Sequence, residues 1–425
     1  MTSERSRRKP ALEHSNLLHD WSAAGPRRAQ WPTHVMLNDE TLRDGLQSPS
    51  ASDPPTEAKI RLLHLMERLG IETVDVGLPG AGSRQREAAV SLCREISEKR
   101  LRIRPNCAAR TVMVDIEPIA EIAQLTGVAI EACLFIGSSP IRQYVEEWDL
   151  AQILRRTREA ITFARSKGLK VMYVTEDSVR SSPDHLRALL SAAIEAGAER
   201  VCLCDTCGAA TPDGTFNLVI WVRGLLAELG AGSVGIDWHG HRDRGLDLAN
   251  SLAAIEAGAS RVHGTALGIG ERVGNTPIEQ LLINLTLLSL RNDDLTCLPE
   301  YVQAVSEAIN VPIPVNAPVV GRDAFRTATG VHASAVMKAQ KKGTALLGDL
   351  VYSGVPARWI GRAQEIQIGP MSGNCNVQHF LAAHGIPSTP ELIQWIIGHA
   401  KRSTHVLSEE EVLEIVRLAP SHAKT

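Results

Sequence analysis

Two histidines one residue apart, His239 and His241, sit in the run Asp237-Trp-His-Gly-His-Arg-Asp-Arg-Gly245. In an extended segment residues i and i+2 point to the same face, so the two imidazoles are aimed together with only Gly240 between them. Leu248, Leu252 and Ile255 follow at helical spacing, which places the pair at a strand end just before a helix. Such junctions are where α/β folds gather their active sites. Alone, the pair could be two surface histidines. It gains meaning beside polar groups at similar junctions: Arg43, Asp44 and Gln47; Glu176, Asp177 and Arg180; Asp205 and Thr206; and the loop Gly268-Ile-Gly-Glu-Arg-Val-Gly-Asn275. One carboxylate and two imidazoles with open positions hold a divalent cation and leave room for substrate. An Asp at a loop start is more often a helix cap, so Asp44 takes its weight from the convergence alone.

Those junctions need a scaffold that brings them together. From 33 to about 292, short β-rich runs alternate with amphipathic stretches; the runs are 35–38, 73–78, 102–106, 129–136, 170–174, 200–204, 234–239 and 261–265. The steps Gly70-Ile71, Gly168-Leu169, Gly197-Ala198 and Gly258-Ala259 suit the position that ends a helix before the next strand. Eight βα units in about 260 residues predict a (β/α)8 TIM barrel whose strand ends share one mouth. A doubly wound sheet would need a phosphate-binding glycine loop after its first strand, and Asp39-Glu-Thr-Leu-Arg-Asp-Gly45 is not one. The expected organisation is a flexible polar extension (1–32), the barrel (33–292), a linker and accessory subdomain (293–380), and a helical C-terminal subdomain (381–425). The prolines of 311–318 mark extended chain within the third segment.

Composition removes several function classes. The chain has 425 residues, 44% hydrophobic and 22% charged, as a soluble globular protein does. A net charge of −3 and 4% aromatics argue against a nucleic-acid partner. No apolar run approaches the roughly 18 residues of a membrane span. Residues 1–32 carry Arg5, Arg7, Arg8, Lys9, Arg27 and Arg28 but no apolar signal core, and Glu4, Glu13 and Asp20 count against a transit peptide. Eight cysteines scattered through apolar segments suit a reducing cytoplasm. Cys204-Asp-Thr-Cys207 has CxxC spacing, yet it lacks a second ligand pair and a helix start, so it reads as structural.

Leu42-Arg-Asp-Gly-Leu-Gln47, the His-x-His pair and Gly270-Glu-Arg-Val-Gly-Asn275 together resemble the metal-dependent TIM-barrel family of acyl-CoA Claisen synthases and related lyases. The likeness covers roughly 33–380 and is greatest to 2-isopropylmalate synthases, with homocitrate and citramalate synthases nearby. It implies condensation of acetyl-CoA with a 2-oxo acid, by default 2-oxoisovalerate, and thioester hydrolysis to an alkylmalate and CoA, as in leucine biosynthesis. It implies Asp44, His239 and His241 as ligands of a divalent metal ion (Mg, Mn or Zn), with Asn275 as a further ligand or metal neighbour. Arg43 would balance charge on the oxo acid's oxygen, with Gln47 and Thr206 also binding substrate, and Glu176 would lie near the reacting carbons. His332, in Gly330-Val-His332, and Tyr352 match a pair that family members insert into the partner subunit's site. That match implies a homodimer with an exchanged C-terminal region, and Glu176, His332 and Tyr352 as the candidate base relay.

Departures from the family pattern leave the oxo acid open. Cys207 and Ala209 stand where Val and a bulkier or polar residue are expected, Asp75 where relatives usually carry Glu, and Ser138-Ser-Pro-Ile-Arg142 where many place a histidine. Homocitrate or citramalate synthase specificity is one alternative. A lyase like hydroxymethylglutaryl-CoA lyase is another, since Arg43–Gln47 resembles it too, although loop 268–275 lacks the cysteine of such lyases. A non-catalytic metal-binding barrel is the third. The long C-terminal regulatory domain of leucine-inhibited members is not found here, so leucine feedback of that type is not expected.

Overall fold

The computed structural model describes residues 17–19, 21, 31–343 and 345–421, so the predicted extension falls almost wholly outside the described residues. Eight strands, β1 (Met36–Asp39), β2 (Thr73–Asp75), β3 (Arg104–Arg110), β4 (Glu131–Gly137), β5 (Lys170–Glu176), β6 (Arg200–Asp205), β7 (Gly235–Gly240) and β8 (Arg261–Gly264), close into a barrel in sequence order. All neighbours pair in parallel, and β8 returns to β1 with His263 opposite Asn38 and Gly264 opposite Asp39. The TIM barrel predicted from the alternation is the observed fold. Its four predicted helix-ending glycines adopt positive φ, from 75° at Gly70 to 114° at Gly258.

Two strands differ from the sequence reading. β2 stops at Asp75 because the Asp75 carboxylate accepts the Gly77 amide at 3.1 Å, and Gly77 turns at φ +141°. β3 continues to Arg110 through Asn-Cys-Ala-Ala, residues of weak β-propensity that gave no strand signal. Helix starts follow ordinary capping. Ser182 and Thr211 accept amides of the first turns of Pro183–Glu195 and Pro212–Glu228, and each helix has proline in its first turn.

Strand alternation sorts the side chains. Leu37, Val74, Leu134, Val171, Val201 and Val262 are fully buried between strands and helices. The alternate positions Asn38, Asn106, Asp237, Arg261 and His263 are also buried but polar, and they face one another, as in the 2.6 Å bond from Asn106 Nδ2 to Asn38 Oδ1. The centre of this barrel is thus a polar network.

Among the described residues, 31–313 fall in one compact unit, which continues past the 292 at which the barrel was expected to end. The helix Leu298–Ile309 belongs to the barrel because Tyr301 is fully buried and donates to Asp39 Oδ2 at 2.6 Å. The described residues from 314 to 421 belong to a second unit. It contains a parallel pair, β9 (Arg326–Thr327) and β10 (Glu365–Ile366), and the helices Gly330–Lys342, Asn374–Ala383, Pro390–Arg402 and Glu409–Arg417. Its core joins Ile368 and Val377 to Leu392, Ile396 and Val412, so the expected division at 380/381 runs through continuous packing.

Glu279, in the first turn of Ile278–Leu287, is buried and accepts the Leu267 amide at 3.0 Å. Burial pushes its pKa up from 4.5 to about 7, against the pull of that amide. The native state therefore holds a proton that the unfolded chain has released, and stability falls as pH rises from about 4.5 to 7. Urea unfolding of E279Q should lose this slope, with a difference from wild type growing by about 3 kcal/mol across the window. Parallel stability curves for the two proteins would refute the assignment.

Candidate functional site

At the C-terminal ends of the strands lies a cavity of about 460 Å³ whose lining includes Glu40, Arg43, Asp44, Gln47, Asp75, Glu176, Thr206, His239, His241 and His263. β7 presents His239, and His241 follows it, held by a backbone bridge to Asn275. Their Nε2 atoms are 3.3 Å apart. Asp44 Oδ2 lies 3.4 Å from His239 Nε2 and 3.7 Å from His241 Nε2. Atoms about 2.1 Å from a common ion stand roughly 3–3.5 Å from one another, so this spacing fits a divalent cation between them. Asp44 Oδ2 is buried and has no hydrogen-bond partner, which a cation ligand would explain. Burial and the neighbouring His239 push the His241 pKa down to about 4, so its ring stays neutral near pH 7 with a lone pair to give.

Asn275 arrives through backbone that only glycine permits. A Cβ on Gly270 (φ +153°) would lie 2.2 Å from Asn275 Nδ2, and one on Gly274 (φ +102°) would lie 1.8 Å from the Gly268 carbonyl oxygen. Asn275 Nδ2 donates to the Ile269 carbonyl at 3.2 Å, leaving its Oδ1 buried without a partner beside His241. That orphaned oxygen is the fourth feature consistent with a cation.

Arg43 braces the other side of Asp44. Its Nε donates to Asp75 Oδ2 at 2.6 Å and its Nη2 to Glu40 Oε2, while Nη1 makes only long contacts, 3.5 Å to Asp44 and 3.4 Å to Gln47. Nη1 is the donor left for a ligand. Burial pushes the Glu40 carboxyl up, but Arg43, His239 and His263 outweigh it and hold it well below the usual range. Burial raises Asp75 to about 6 despite Arg43.

Across the barrel, Glu176 ends β5, and burial raises its carboxyl in spite of Arg142. Thr206 Oγ1 accepts the Asp177 amide at 2.8 Å, which orients its hydroxyl proton elsewhere. The wall between them is apolar: Cys133, Met172, Cys202 and Cys204 form one buried cluster with Val174 packed on it, and Phe135 adds to the lining.

Not every polar group at the strand ends faces this space. Asp205 is consumed by its loop, accepting from the Ala209 amide at 2.7 Å and from Asn250 at 3.4 Å. Asp177 and Arg180 pair with each other at 2.7 Å. Cys204 meets Cys202, sulfur to sulfur at 3.8 Å, rather than Cys207. All eight cysteines are free. His332 and Tyr352 belong to the second unit, where their rings stack with centroids 4.0 Å apart and Tyr352 is 48% exposed. The sequence reading missed Glu40, His263 and the role of Asp237; the alternation Asn38, Glu40 through the end of β1 was the available signal.

Among the described residues no helix is long and apolar enough to cross a membrane. G274A should keep its far-ultraviolet spectrum yet bind Mn²⁺ about 100-fold more weakly by calorimetric titration, because Asn275 and His241 lose their shared backbone. Unchanged affinity would show that the loop does not build the site.

The HMGL-like family model matches residues 34–305. A protein from Ignicoccus hospitalis described as "Probable 2-isopropylmalate synthase" is 31% identical over 391 residues, 91% of this chain and 92% of its own. Homocitrate synthase AksA of Methanopyrus kandleri is 29% identical over 92% of this chain and 94% of its own length. Among solved structures, the HMG-CoA lyase of Bacillus subtilis superposes with a TM-score of 0.56 at 22% identity, covering 67% of this chain and 97% of that one. The family match over the barrel, with relatives matched along most of their length, shows that the chain is an enzyme and belongs to the HMGL-like family.

Proposed function

We propose that the protein condenses acetyl-CoA with a 2-oxo acid bearing an apolar side chain and then hydrolyses the thioester, a 2-isopropylmalate synthase-like acyltransfer. The observation that carries this reading is the division of the cavity. Asp44, His239, His241 and Arg43 occupy one wall, and Cys133, Phe135, Met172, Val174, Cys202 and Cys204 occupy another. The first suits a ketone and its adjacent carboxylate, the second a short aliphatic chain, with 2-oxoisovalerate the default.

Asp44, His239 and His241, with Asn275 beside them, would hold a divalent cation, Mg, Mn or Zn, which supplies Lewis acidity worth several kcal/mol to an oxygen gaining charge. Arg43 Nη1 adds a fixed positive charge on the same side, and Gln47 and Thr206 bind the oxo acid's polar end. Glu176, made more basic by burial, takes the proton from the acetyl methyl as the carbon–carbon bond forms. Water then attacks the thioester carbonyl and CoA leaves as the thiol. His332 and Tyr352 complete the relay from the partner of a homodimer with exchanged C-terminal regions; their stacked, exposed pairing supports this assignment. The relatives' names support a place in branched-chain amino-acid formation, and the free cysteines suit the cytoplasm.

A thiol-release assay with acetyl-CoA and a panel of 2-oxo acids tests this. Branched aliphatic acids should release CoA faster than 2-oxoglutarate, and E176Q should lower kcat by about 10²–10⁴ with little change in KM. No CoA from any oxo acid, with cleavage of a hydroxyacyl-CoA instead, would make the enzyme a lyase. Mixing inactive H332A and D44A subunits should restore activity in hybrid dimers, and no recovery would exclude shared sites.

A further inference from the structure

The charged groups in the barrel's centre form one connected line running away from the cavity. His239 Nδ1 lies 3.1 Å from Glu40 Oε2, and Glu40 Oε1 lies 2.7 Å from His263 Nδ1. His263 Nε2 in turn reaches Asp237 Oδ2 at 2.9 Å. Asp237 is anchored by Arg261 Nε at 2.5 Å and by Arg200 Nε at 2.6 Å, and Arg261 extends to Glu131 Oε2 at 2.5 Å. Every side chain from Glu40 to Arg261 is 4% exposed or less. Nothing in the condensation requires these groups to touch substrate.

Two clusters here have metal-ligand composition, Asp44-His239-His241 and Glu40-His239-His263, and they share His239. The contacts tell them apart. In the second cluster both nitrogens stand close to Glu40, at 2.7 and 3.1 Å, as ion-pair contacts, while the hydrogen bonds to that carboxylate come from Asn38 Nδ2 (3.1 Å) to Oε1 and from Arg43 Nη2 to Oε2. Each of its oxygens thus already accepts a hydrogen bond. In the first cluster Asp44 Oδ2 has no donor at all. The two sides of the His239 ring therefore do different things: Nδ1 addresses Glu40, and Nε2 addresses Asp44 and His241.

We infer that Glu40, His263 and Asp237 are positioning residues that fix the rotation and tautomer of His239, so that Nε2 presents its lone pair to the cation site. The inference rests on the cation reading proposed above. Asp237, clamped by two arginines, sets where His263 stands. His263 sets where the Glu40 carboxylate stands. Glu40 then holds the proton of His239 on Nδ1, the arrangement by which outer partners orient metal-bound imidazoles. The device reaches through three strands, from β7 to β1 to β8 and back to β7, so it is built only when the barrel is closed.

The test is Mn²⁺ titration of the metal-free full-length chain, followed by electron paramagnetic resonance, without substrates. H263L should raise the Kd by about 10–100-fold while circular dichroism shows an intact fold. H263Q, whose amide can still donate to Glu40, should recover most of the affinity. If H263L does not fold, E40Q carries the same expectation, because its amide NH₂ faces donors where an acceptor is needed. Wild-type affinity in a folded H263L or E40Q would overturn the inference. A loss beyond about 1000-fold in H263L would also overturn it, by making His263 a ligand rather than a positioning residue. A wild-type chain that takes up no Mn²⁺ would overturn the cation reading and this inference together, which separates that failure from the first two.

Discussion

Burying a carboxylate is costly unless a positive charge or several donors face it, and the middle of this barrel buries Glu40, Asp44, Asp75 and Asp237. Three of them are answered within the chain. Asp237 has Arg200 and Arg261; Glu40 has Arg43, His239, His263 and Asn38; Asp75 has Arg43 and the Gly77 amide. Asp44 is the exception. Its one cationic neighbour is Arg43 at 3.5 Å, shared with two other carboxylates, and its Oδ2 faces two histidine nitrogens without a donor. Of these four carboxylates, Asp44 is the one with an oxygen that no donor among the described residues meets, which supports the cation proposed there.

The fold makes that imbalance affordable. Parallel pairing around a closed ring brings the ends of all eight strands to one mouth, and period-two alternation sends every second residue into the centre. On the β7, β8, β1 and β2 side those residues are charged, and on the β4 to β6 side they are Cys133, Phe135, Met172, Val174, Cys202 and Cys204. The cavity is thus charged on one side and largely apolar on the other, with Glu176 and Thr206 at the rim of the apolar side. The glycines of the loop after β8 bring Asn275 against His241 where any side chain would collide.

Much of this was legible in the residues. The His-x-His spacing gave the shared direction of His239 and His241, and the eight alternations gave the barrel whose mouth must also hold Asp44. Polar residues near strand ends could not be sorted from sequence into lining and scaffolding: Asp205 and Asp177 look like Asp44 until the loop amides and Arg180 that occupy them are seen. Glu40 and His263 stayed hidden for another reason. Glu40 follows β1 in a polar run and His263 sits within the buried β8, and only the pairing of β1 with β8 makes them partners. The helix past the eighth unit is tied to the first strand by Tyr301, whose hydroxyl meets Asp39 and Thr41 across 262 and 260 positions, a link no local pattern signals.

The most direct measurement is anomalous diffraction from crystals of the full chain grown with Mn²⁺, with data collected on both sides of the manganese absorption edge. One strong peak is expected within coordination distance of Asp44 Oδ2 and of Nε2 on both His239 and His241. A peak between Glu40, His239 and His263, or none in the barrel mouth, would contradict it.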